Sequence, residues 1–158
     1  MQKEGNDENS AILSFYDAEG NYADSLATKG KVMIISVYSD RLSPAQKERI
    51  MRFMSNADKA GFKTLLLTSS QTAASGFKDS YLSDYKSLIT LNRSNGGITY
   101  LNDGYLVRKW ARRSAPDFNG LLDLNSDDET EIITYHDTKG SLGFQGFLLY
   151  VFAVMLLL

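Results

Sequence analysis

Two uninterrupted apolar runs flanking a well-punctuated helical segment constrain this chain most. Residues 31–38 read KVMIISVY and residues 62–68 read FKTLLLT, runs of the kind expected in strands covered on both faces. Between them, Ser43 suits a helix N-cap, Pro44 the first helical position, and Gln46 the return bond of a capping box. Ile50, Phe53, Met54 and Ala57 then fall on one helical face, Lys47, Arg49, Arg52 and Lys59 occupy the rest, and Gly61 suits a left-handed stop. A helix of this length makes the right-handed crossover that joins parallel strands. The segment therefore predicts a βαβ unit and an α/β fold.

The flanks add shorter elements. Residues 1–10 are polar and read as a flexible lead, residues 11–17 offer a strand that begins a hairpin arm, and residues 18–21 a turn. Residues 73–91 look helical but broken, and residues 93–97 form a loop rich in Asn and Gly. Asn102, Asp103 and Gly104 separate apolar runs at 98–101 and 105–111, a strong hairpin signal. Residues 116–124 read as a last helix, which closes a domain over 11–124; an acidic linker is expected over 125–141.

The final twelve residues, FLLYVFAVMLLL, carry no charge. A buried helix in a domain of this size keeps a polar face, and this run has none, so residues 142–158 are read as a transmembrane segment. As a helix, the sixteen residues from Gly143 span about 24 Å against a hydrocarbon core of about 30 Å. The run falls short of crossing, which suggests a fragment cut within a membrane helix. Lys139 is the only Lys or Arg close to the tail, a pattern that favours the periplasmic side; residues 1–10 have no apolar signal-peptide core, so export would need an upstream helix.

Composition removes several function classes. With no cysteine, the chain carries no disulfide, thiolate metal site or thiol redox cycle of its own. A lone histidine, His136, supplies neither a histidine metal cluster nor a conventional triad. The net charge of −2 gives no general basic field for nucleic acid. Asp127, Asp128, Glu129 and Glu131 lack the interleaved ligands and glycine of a calcium loop and read as solvated linker. No cofactor and no catalytic constellation is expected.

The segments FYDAEGNYADSL, GKVMIISV, GFKTLLLTSS, RSNGGITYLNDGYLVRKW and SAPD resemble the thioredoxin-like domain that follows the membrane region in DoxX-type proteins of Bacteroidetes. The resemblance covers roughly residues 14–117 and is most specific over 93–110. It implies a thioredoxin-like three-layer sandwich with a central mixed sheet. That family's loop usually has a proline before the strand, where Gly96 stands here, and Gly96 removes the fixed φ of proline. The resemblance also places reactive groups after the central strand, where this chain has Ser39, Asp40, Arg41 and Ser43 and no thiol. These residues, with Gly96, are the degenerate active-site positions, and Ser43 is better explained as a helix cap.

Arg108, Lys109, Arg112 and Arg113 surround Trp110 in the one basic cluster. Strand alternation puts Arg108, Trp110 and Arg112 on one side, as candidate contacts for a lipid headgroup or a partner, and Lys109 and Arg113 on the other. The commoner role of such charges is to protect an edge strand from further pairing. The expected function is a membrane-tethered, redox-inactive accessory domain that contacts a protein partner or its own membrane region. The alternative is a component of a membrane oxidoreductase system whose cofactor or thiols lie outside this chain.

Overall fold

The computed structural model describes residues 13–126. The lead at 1–10, the linker beyond Ser126, His136, the acidic cluster from Asp127 and the apolar tail at 142–158 lie outside the described residues. Among those described, no helix is long and apolar enough to cross a membrane.

Among the described residues, six strands form one mixed sheet: β1 (Phe15–Tyr16), β2 (Lys31–Val37), β3 (Lys63–Thr68), β4 (Ser80–Ser83), β5 (Gly97–Asn102) and β6 (Tyr105–Trp110), in the spatial order β1-β4-β3-β2-β5-β6. Strand β2 pairs parallel with β3 and antiparallel with β5. Its continuous apolar run follows from that position, because both edges are paired and both faces covered. Val32, Met33, Ile34, Ile35 and Val37 are all fully buried.

The two faces pack against different helices. Val32 and Ile34 join Leu65, Leu67 and Leu101 in a cluster with Leu88 and Leu91 of α3 (Tyr85–Leu91). On the opposite face, Ile35 and Ile98 line a common cavity with Ile50 and Phe53 of α1 (Pro44–Lys59). Helix α1 begins where the sequence predicts: Ser43 Oγ accepts the Gln46 N–H at 3.3 Å, while the Ser43 N–H donates to Gln46 Oε1 at 3.0 Å. It ends at Gly61, whose φ of 91° lies in the left-handed region that suits glycine. The parallel partner β3 follows, completing the expected βαβ unit.

The expectation of broken helix over 73–91 is only partly right. A single turn, α2 (Gln71–Ala74), is followed by β4, which pairs parallel with β3 and antiparallel with β1. Only Tyr81 and Leu82 are apolar in β4, so its state is set by the free edges it fills rather than by its own periodicity. The hairpin of β5 and β6 turns on Asp103 and Gly104, with φ of 46° and 82°, the positive pair that a two-residue turn matching strand twist requires. Helix α4 (Phe118–Ser126) buries Leu121 and Leu124. It runs past Leu124, and Asn125 Nδ2 donates to the Ala60 carbonyl at the end of α1 at 2.9 Å, while Lys31 Nζ donates to the Asn125 carbonyl at 2.7 Å.

Candidate functional site

In a mixed α/β sheet the crevice beyond the carboxyl ends of the parallel strands is where side chains from successive loops converge. Here an open groove of about 800 Å³ occupies that end. Tyr38, Ser39, Asp40 and Arg41 enter it after β2, Ser70 and Thr72 after β3, Tyr85 at the start of α3, and Asn95 and Arg112 from the loops around β5 and β6.

One amide holds the groove's backbone in place. Asn95 Oδ1 accepts the N–H groups of Tyr38 and Ser39 at 3.0 and 3.3 Å, and Asn95 Nδ2 donates to the Ser39 carbonyl at 3.0 Å. The side chain thus continues the pairing of β2 beyond the point where β5 begins. Gly96 N–H adds a bond to the Ser36 carbonyl at 2.8 Å. Tyr38 is fixed by its hydroxyl, which donates to the Arg93 carbonyl at 2.7 Å, and by an edge-on contact with Tyr85 at 5.7 Å between ring centres. Arg112 donates from Nη1 to the Asn95 carbonyl at 3.0 Å, so one guanidinium braces the loop that carries the clamp.

Beneath the groove, buried Asn92 performs a similar task. Its Nδ2 donates to the carbonyls of Ile98 and Trp110, each at 3.0 Å, and its Oδ1 accepts the Ser94 N–H at 3.0 Å. Gly97 packs directly on that amide, where a Cβ would collide with it. Asp84 caps α3 at the groove's edge. Hydrogen bonds from the Ser87 side chain, and then from the Ser87 N–H, hold its carboxyl below the usual carboxylate range.

The structure brings Ser39, Asp40 and Arg41 together on the groove but separates the other candidates. Ser43 is occupied in the capping box and does not line the groove. Gly96 faces a neighbouring cavity on the α1 side. Arg108 stacks on Trp110 with its guanidinium carbon 5.2 Å from the ring centre, on the edge strand of the sheet. Arg112 does not share their strand face, because β6 ends at Trp110 and Arg112 opens a short 3-10 turn over Arg112–Ser114. Asn95, Tyr38 and Tyr85 carry no sequence mark of this role, since an Asn in a Gly-rich loop already has a conformational reason to be there.

Chemically, the groove offers hydroxyls, an amide, two aromatic faces and charges of both signs. Ser39 Oγ accepts the Arg41 N–H at 3.3 Å, and no histidine lies among the described residues to act as its base. Among the described residues there is no group of three or more His, Cys, Asp or Glu arranged to hold a metal.

No family model and no curated protein matches the chain. Solved structures do match it. The exposed lipoprotein thioredoxin Etrx1 of Streptococcus pneumoniae superposes with a TM-score of 0.51 at 14% identity, over 72% of this chain and 96% of that one. Yeast Sco1 gives a TM-score of 0.51 at 12% identity, over 76% of this chain and 93% of that one. The fold is thioredoxin-like. At these identities the likeness concerns the fold alone, and the chemistry rests on this chain's own residues.

Proposed function

We propose that this chain is a membrane-tethered, redox-inactive thioredoxin-like accessory domain of a DoxX-type membrane protein, and that it contacts a protein partner through the groove formed by Tyr38–Arg41, Ser70, Thr72, Tyr85 and Asn95. One observation carries the reading. Ser39, Asp40 and Arg41 stand where the family resemblance puts reactive groups, and the chain has no cysteine. Thiol exchange requires a thiolate, so the groove is left with contact chemistry.

Its makeup suits a protein surface more than a small metabolite. Tyr38 and Tyr85 supply rigid amphipathic faces, and Asp40, Arg41 and Arg112 supply charges of both signs in an open trough. The net charge of −2 argues against nucleic acid. The tether is supported by the uncharged run over 147–158, for which insertion of each central Leu, Val or Phe is favourable by about 0.3–0.6 kcal/mol.

Two measurements test the proposal. The full chain should float with liposomes and resist carbonate extraction; recovery in the aqueous supernatant contradicts the tether. It should also reduce a model disulfide substrate no faster than a heat-denatured sample, and turnover above that control contradicts redox inactivity. A bound flavin, quinone or haem in the intact membrane protein would instead favour an oxidoreductase system with its cofactor outside this chain.

A further inference from the structure

A second cavity, of about 440 Å³, lies on the α1 face of the sheet. Ile35, Ile50, Phe53 and Ile98 give it an apolar floor, and Arg49, Arg52, Arg112 and Arg113 surround that floor. Among the described residues, no Asp or Glu lines it. Four guanidinium groups thus gather in one concavity of a chain whose overall charge is −2.

Two of the four are engaged. Arg112 donates to the Asn95 carbonyl, and Arg52 pairs with Glu48 at 2.8 Å along α1. The Arg49 and Arg113 side chains make no hydrogen bond or ion pair within the described residues. Gly96 allows the walls to close: a Cβ there would stand 2.9 Å from Ile50 Cδ1 and 3.0 Å from Arg112 Cδ. The glycine at the position of the family's proline therefore brings helix, loop and arginine together around the floor.

The geometry points to a binding site for a small anionic amphiphile, a phosphate or carboxylate joined to a short apolar chain. Planar guanidinium groups take either anion through paired hydrogen bonds. A charge patch alone would bind weakly in water, whereas the exposed parts of Phe53, Ile50 and Ile98 offer apolar contact to an attached alkyl chain, and the volume lies within the range of small-ligand pockets. The site is distinct from the partner groove, which Arg49, Arg52 and Arg113 do not line, and Arg112 is the one described residue that lines both.

Calorimetric titration of the full chain in phosphatidylcholine nanodiscs tests the site, with octyl phosphate, octanol and inorganic phosphate as probes. Octyl phosphate should bind saturably, and each of the other two at least about tenfold more weakly, because each keeps only half of the recognised chemistry. The double variant Arg49→Gln with Arg113→Gln should lose at least about tenfold in affinity for octyl phosphate. Its melting midpoint should not change, since both side chains are exposed and unpartnered. Competition by phosphatidylglycerol added to the discs would assign the anion to a lipid headgroup, and lack of competition to a soluble ligand; the site stands in both cases. Equal octyl phosphate affinity in parent and variant, or inorganic phosphate binding as tightly as octyl phosphate, would overturn the site.

Discussion

Gly96 and Asn92 show how much of the groove depends on single side chains. Gly96 combines a φ of 78° with a crowded Cβ direction, whereas Gly20 has a φ of 86° and nothing within 4 Å of its Cβ position. Replacing each by alanine separates backbone strain from crowding. Gly20→Ala should cost about 1–2 kcal/mol from the left-handed backbone alone, and Gly96→Ala about 2–4 kcal/mol because overpacking is added. Urea denaturation reads both, and equal losses would remove the crowding account. Asn92→Ala strands the carbonyls of Ile98 and Trp110 and the N–H of Ser94; a destabilisation of about 2–4 kcal/mol is expected by the same measurement. The position of Ser39, Asp40 and Arg41 after the central strand is legible in the sequence, and the structure places all three along the groove. The role of Asn95 is not, since its clamp on Tyr38 and Ser39 exists only once β2 and β5 are in register.

Elements whose signals are local could be read from sequence, and those defined by neighbours could not. The Ser43 capping box, the apolar runs of β2 and β3 and the Asp103-Gly104 turn each carry their evidence within a few residues. Strand β4 has no such mark and owes its conformation to β3 and β1 on either side. Arg112 departs from strand alternation for a related reason: β6 ends at Trp110, and Arg112 belongs to the 3-10 turn that follows. Helix α3 gives a prediction of its own. Its cap Asp84 has a carboxyl pKa lowered in the fold, so its contribution is complete above the ordinary carboxylate value of about 3.9 and disappears as the pH falls through the lower folded value. Asp17, lowered chiefly by the Asn21 side chain, behaves in the same way. Melting midpoints followed from about pH 6 to about pH 3 should therefore fall less steeply in Asp84→Ala than in the parent chain. Parallel curves would show that the cap carries no pH-dependent stability.

Across the whole molecule, a mixed sheet packed between α1 and α3 places two chemically different hollows close together: a polar groove at the ends of β2 and β3, and an arginine-ringed apolar cavity on the α1 face. The loop from Arg93 to Gly97 and the Arg112 side chain separate them. Arg112 lines both and donates to the Asn95 carbonyl in that loop. Site-specific photo-crosslinking tests the proposal that the thiol-free groove is a protein-contact surface. With the photoreactive residue at exposed Thr72 of the full chain in native membranes, one dominant protein adduct should form, and it should be lost when Asp40→Arg and Arg41→Glu are combined. The same probe at exposed Lys59, at the far end of α1, should give none. Equal labelling from Thr72 and Lys59, or a Thr72 adduct indifferent to the charge reversals, would contradict the claim.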